Sequence, residues 1–271
     1  MTSFFRSKLA DAYAGLLAST QQRAMAFDGR APAVTFSFDD FPRTALIMGG
    51  AILERFGVHG TYYAAPALRD SSGELGEHFT SDDLDELLAK GHELGSHTYS
   101  HISSRSLSCT DYCADAARGR RTIEEQTRQR AESFSYPFGH VTLRTKRLLA
   151  PQFASARGIR PGFNGPQVDL NLLRANRIYG GVDQAVPLQA LITENLRRRN
   201  WLIFYTHDVR PEPSAYGCTP ALFESIVSCA AHSGSRILTV AQVLREMGMG
   251  SGQCDGVTDA SKGASAYQNY F

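Results

Sequence analysis

One tryptophan, five cysteines, no membrane-length apolar run and almost no net charge in 271 residues each exclude a class of protein. The cysteines Cys109, Cys113, Cys218, Cys229 and Cys254 are odd in number and lack the paired CxxC spacing of a structural zinc site. They are expected to be free thiols in a reducing compartment, with Cys109 and Cys113 one turn apart near a helix start. No run reaches the roughly 18 apolar residues that a membrane helix needs. Asp11 interrupts the only N-terminal stretch that resembles a leader core, so the expectation is a cytoplasmic protein with no membrane insertion. The formal net charge of +1 offers no attraction for nucleic acid. The basic runs Arg118-Gly119-Arg120-Arg121 and Arg197-Arg198-Arg199 read as solvated helix faces.

What is present is a core-forming composition, 42% hydrophobic and 20% charged, in a length suited to one α/β domain. Apolar runs at 33–38, 59–65, 92–96, 133–136, 152–156, 173–179, 201–206 and 235–238 read as strands. Helical patterns at 43–57, 81–90, 111–132, 141–150, 186–199, 219–233 and 240–248 alternate with them. Such alternation implies right-handed βαβ units around a parallel sheet. The run at 33–38 is nearly continuous in apolar and β-prone residues, which favours a closed or nearly closed barrel covered on both faces. Thr80-Ser81-Asp82-Asp83 supplies cap residues before Leu84, and Thr219-Pro220 places proline in a first helical turn. Residues 30–248 form the single expected domain, after an N-terminal helical extension (1–29) and before a polar, Gly- and Ser-rich tail (249–271) with Tyr267, Tyr270 and Phe271 as possible anchors.

Four strand ends carry chemistry. If the strands are parallel, their carboxyl ends gather Asp39 and Asp40, His97 and His101, Tyr136-Pro137-Phe138-Gly139, and His207 around one volume. A turn at Phe41-Pro42 lets both adjacent carboxylates face one cavity, one for a metal and one for proton chemistry. The H-x3-H spacing of His97 and His101 puts both imidazoles on one face of a helical turn, able to bind one cation with a carboxylate from another strand. His207 follows an apolar run and suits a proton donor to a leaving amine. The sharp Pro137-Phe138-Gly139 loop offers the Phe138 N–H as an oxyanion donor. Trp201 opens a core strand and reads as packing.

In order along the chain, Thr35-Phe36-Ser37-Phe38-Asp39-Asp40, His97-Thr98-Tyr99-Ser100-His101, Tyr136-Pro137-Phe138-Gly139 and Phe204-Tyr205-Thr206-His207 resemble the motifs of the polysaccharide deacetylases, carbohydrate esterase family 4. Val58-His59-Gly60-Thr61-Tyr62-Tyr63 resembles that family's second strand. The resemblance spans roughly residues 30–245. It implies a distorted (β/α)7 barrel and a divalent metal, zinc first, with cobalt, manganese or nickel as alternatives. The implied reaction is hydrolysis of an N-acetyl group on an amino-sugar oligo- or polysaccharide. By motif position, Asp39 would be the base, Asp40, His97 and His101 the metal ligands, Phe138 N–H an oxyanion donor and His207 the acid.

Two departures leave roles to fill. Ser135 stands where many members have the arginine that steadies the base, so Arg177 is expected to supply a guanidinium from another strand, with Arg174 as alternative. The aspartate that orients the acid histidine has no clear counterpart; Asp183 is expected to serve, with Asp169 second. Two other readings stay open: hydrolysis of a small amide or ureide, and a silent carbohydrate-binding barrel. The second is disfavoured because a binding module needs no base, acid and metal set together. Self-association is left open.

Overall fold

The computed structural model describes residues 13, 15–20, 22–28 and 31–249. The expected tail anchors Tyr267, Tyr270 and Phe271, and Cys254, lie outside the described residues. The core is a curled parallel sheet of β1 (Ala33–Phe38), β2 (Thr61–Ala64), β3 (Glu93–Ser96), β4 (Ser133–Ser135), β5 (Ser155–Arg157), β6 (Asn176–Arg177), β7 (Trp201–Thr206) and β8 (Arg236–Ile237). Neighbouring strands run β6-β7-β1-β2-β3-β4-β5, and β8 pairs with β1. A single parallel bridge, Arg157 to Leu173, spans the gap between the two ends. The sheet is therefore a distorted half-closed barrel, as the alternation of strands and helices implies.

Helices α1 (Ala51–Arg55), α2 (Ser81–Ala89), α3 (Cys109–Thr127), α4 (Leu143–Leu149), α5 (Ala185–Arg198), α6 (Pro220–His232) and α7 (Val240–Glu246) cover the sheet. Side-chain alternation divides β1 between two layers. Phe36 and Phe38 pack outward against Phe223 of α6, with ring centroids 5.6 and 5.5 Å away. Thr35 and Ser37 are buried on the other face, where Trp201 Nε1 donates to Thr35 Oγ1 at 2.9 Å. Trp201 is thus packing. Thr80 caps α2 in a reciprocal box with Asp83, and Thr219 caps α6 just before Pro220.

Three expectations shift. The strand expected at 152–156 lies at Ser155–Arg157, which carries an arginine onto a strand end. The strand expected at 173–179 shortens to Asn176–Arg177. The helix expected to run to residue 132 stops where Arg128 turns left-handed, at φ 58°. Cys109, Cys113, Cys218 and Cys229 are free thiols, as read from their number and spacing.

Candidate active site

Asp39 leaves β1 still in the ladder, its N–H donating to Thr206 O at 3.0 Å. Asp40 (φ 61°) and Phe41 (φ 50°) then turn left-handed. This sharp reversal is what brings two consecutive carboxylates to one cavity. His97 extends β3, its N–H donating to Ala64 O at 2.9 Å. His101 returns through a loop rather than the helical turn expected from its spacing. Thr98 (φ 65°) and His101 (φ 52°) are left-handed, and the N–H groups of Tyr99 and Ser100 donate to Asp115 Oδ2 at 3.1 and 3.0 Å. The loop nevertheless brings both imidazoles to the same carboxylate oxygen: Asp40 Oδ1 lies 3.2 Å from His97 Nε2 and 2.9 Å from His101 Nε2.

That trio fits a cation. The His97 Nδ1–H donates to Ser135 O at 2.7 Å, so in the neutral ring Nε2 is a lone pair facing a carboxylate oxygen. Two acceptors aimed at each other require a positive charge between them. All three ligand atoms lie within 4.8 Å of one another, and ligands about 2.0–2.1 Å from a tetrahedral zinc sit about 3.3 Å apart. Without the cation, burial raises the Asp40 carboxyl, but hydrogen bonds from His101 and His97 outweigh it and hold the group well below its ordinary value. Burial lowers His97, and Asp40 and Asp39 more than offset it, so its pKa is raised.

Asp39 is buried against Arg157, the fully buried last residue of β5. Arg157 Nη2 pairs with Asp39 Oδ1 and donates to Ser135 Oγ at 2.8 Å. Nη1 donates to Gly158 O at 3.0 Å. The guanidinium sits 5.0 Å from the ring centroids of both Tyr63 and Tyr205, an arrangement that fixes its plane. Burial pushes the Asp39 carboxyl up, but the charges of Arg157, His97 and His207 bring it below its ordinary value.

The guanidinium expected from Arg177 therefore comes from Arg157, one strand along from Ser135. Arg177 is exposed and lines an adjoining cavity instead. Arg174 is likewise elsewhere, donating to Pro161 O at 3.1 Å. Sequence reading missed Arg157 because ending the strand at 156 put it in a loop. An arginine closing the small, apolar run Phe153-Ala154-Ser155-Ala156 was the signal available.

His207 follows β7, and its Nδ1–H donates to Tyr216 O at 3.1 Å. A backbone carbonyl thus orients the ring where Asp183 was expected. Asp183 is exposed and accepts from Gln184 Nε2 at 2.7 Å, while Asp169 pairs with Lys146 at 2.6 Å on another side of the fold. The loop that carries Tyr216 is tied to buried Asp208, which accepts from Ser214 N at 2.8 Å and pairs with Arg210 at 2.8 Å, while Tyr216 N–H donates to Ser214 Oγ at 3.1 Å.

Asp39, Asp40, His97, His101, Phe138 and His207 all line one cavity of about 400 Å³. Phe138 is left-handed (φ 59°), and its exposed ring lies 4.7 Å from that of His101. Tyr179, Tyr205, Tyr216 and Leu75 line it as well.

Residues 28–152 match the family model described as polysaccharide deacetylase. No curated protein matches the chain. Among solved structures, the chain is similar to a carbohydrate esterase family 4 domain of a multidomain xylanase from the hindgut metagenome of Trinervitermes trinervoides. The two are 17% identical over 82% of this chain and 93% of that one, with a TM-score of 0.57. A family 4 acetyl xylan esterase from Clostridium thermocellum, in complex with a cobalt ion, is 16% identical over 80% and 93%, with a TM-score of 0.55. A peptidoglycan deacetylase from Bacillus subtilis, in a substituted form, is 16% identical over 82% and 93%, with a TM-score of 0.50. At these identities the likeness establishes a common fold.

Proposed function

Because residues 28–152 match the polysaccharide deacetylase family model, we propose that the chain removes N-acetyl groups from an amino-sugar oligo- or polysaccharide with a divalent metal, zinc first, at Asp40, His97 and His101. The observation that carries this reading is the convergence of Asp39, Asp40, His97, His101 and His207 on one cavity. A divalent cation there supplies Lewis-acid polarisation of the acetyl carbonyl and eases deprotonation of water. Asp39 takes the proton from the attacking water, its carboxylate held in plane by Arg157. The Phe138 N–H donates to the developing oxyanion. His207, with Nδ1 committed to the Tyr216 carbonyl, delivers a proton from Nε2 to the departing amine. Acetate and a free amino group result.

A base, an acid and a cation site in one cavity argue against a silent binding barrel. The cavity's adjoining groove and aromatic wall favour a carbohydrate over a small cyclic amide. The test is acetate release from N-acetylglucosamine oligomers, with metal content measured alongside. We expect about one divalent ion per chain, lost in the His97→Ala, His101→Ala double variant together with acetate release. Full metal occupancy in that variant, or hydrolysis of small amides alone, overturns the reading.

A further inference from the structure

A second cavity, of about 670 Å³, adjoins the catalytic one, and Asn176, Arg177, Tyr179, Asp183, Leu188 and Ser214 are among its walls. Tyr179 lines both cavities. Its ring lies 6.0 Å from that of His207 and 5.7 Å from the Arg177 guanidinium. A chain of sugars with one residue's acetyl group at His207 would carry its neighbour across the Tyr179 ring toward Arg177.

Arg177 differs from the other arginines near the site. Arg43, Arg157 and Arg210 each hold a carboxylate. Among the described residues Arg177 has no carboxylate within salt-bridge distance, and its guanidinium lies over the Tyr179 ring. The acid in the same cavity, Asp183, is engaged by Gln184. Arg174 adds a second positive charge near Pro161, to whose carbonyl it donates at 3.1 Å.

We propose that this second cavity binds the carboxylate of an acidic sugar next to the residue being deacetylated, with Arg177 as its partner and Tyr179 as the platform between the two subsites. The substrate class is then an acidic heteropolymer of N-acetylated amino sugars and uronic acids. A planar guanidinium fork matches a carboxylate. One such fork in a cavity that also holds the negative Asp183 suits a single negative charge better than a phosphate dianion.

This inference rests on the deacetylase reading for its substrate, but its test does not require turnover. Binding to metal-free protein is measured by calorimetry for two tetrasaccharides. One is an N-acetylglucosamine tetramer; the other alternates N-acetylglucosamine with glucuronic acid. The wild type is expected to prefer the acidic ligand by about tenfold or more at low salt, the usual scale of one charge-assisted hydrogen bond. Arg177→Gln should bring the acidic-to-neutral ratio to about one, Arg177→Lys should keep part of it, and Asp183→Asn should raise it. A wild-type ratio of one, a preference that survives Arg177→Gln, or no binding of either sugar overturns the proposal. Acetate release from the same ligands by the metal-loaded enzyme separates the two claims. Preference without release sinks the deacetylase reading and leaves the subsite, whereas release without preference does the reverse.

Discussion

Asp39 and Arg157 form a buried pair, and the two removals that break it have different consequences. Asp39→Asn takes away the proposed base but none of the proposed metal ligands. Acetate release is expected to fall on the order of 10²–10⁴-fold, the typical cost of losing a general base, with metal content unchanged by mass spectrometry. Arg157→Met leaves a buried carboxylate without its cation, and urea unfolding should show a loss of about 3–5 kcal/mol. The Asp39→Asn, Arg157→Met double variant should lose less than the two single variants together, because neither charge is stranded. Additive losses would mean that the pair is not coupled. That Asp39, Asp40, His97, His101 and His207 meet at one cavity was legible in the chain because each lies in a recognisable motif at a strand end. Arg157 was not, because its partner is 118 residues away and its own strand reads as an ordinary apolar segment.

At the scale of elements, the loop that carries His101 depends on α3. A Cβ on Gly119 would lie 2.4 Å from both the carbonyl carbon and oxygen of Thr98. Glycine there lets the helix lie against the loop, while Asp115 in the same helix holds the N–H groups of Tyr99 and Ser100. Gly119→Ala should raise helix propensity by about 1 kcal/mol yet displace the His101 loop. Metal affinity in chelator competition is expected to fall roughly 10–100-fold, as for losses of support around a metal ligand. An unchanged affinity would show that the loop is held independently of the helix. The helix itself was readable from periodicity, but its glycine looked like part of a basic run. Only the packing shows that its missing side chain matters.

For the whole molecule, the cluster makes stability depend on pH in two directions. The Asp39 and Asp40 carboxyls lie below their ordinary value of 3.8 in the folded chain. Their contribution is complete above that pH and disappears as pH falls through the lower folded values. His97 is raised above its ordinary 6.5, so its contribution is complete below 6.5 and is lost as pH rises through the folded value. Metal-free protein should therefore be most stable between these limits. A metal bound at the proposed site would replace the proton on His97, so adding zinc should restore stability at pH 8 and do little at pH 3, where protons displace it. Thermal unfolding across pH, with and without metal, checks this. Equal stabilisation by zinc at both ends would rule out the assigned ligands.

The sequence by itself determined the parallel α/β architecture and the residues gathered at its strand ends. Apolar periodicity, caps and chain order are local properties, and parallel strands bring their carboxyl ends together whatever the details of packing. Tertiary structure alone decided which groups support those residues. Arg157 rather than Arg177 meets Asp39, because a shift of the strand to Ser155–Arg157 places its guanidinium inside the barrel. The Tyr216 carbonyl rather than Asp183 meets His207, because a backbone acceptor delivered by a folded loop leaves no mark in side-chain identity. Partner choice between distant segments is set by register and loop path, and neither is encoded in the spacing of a motif.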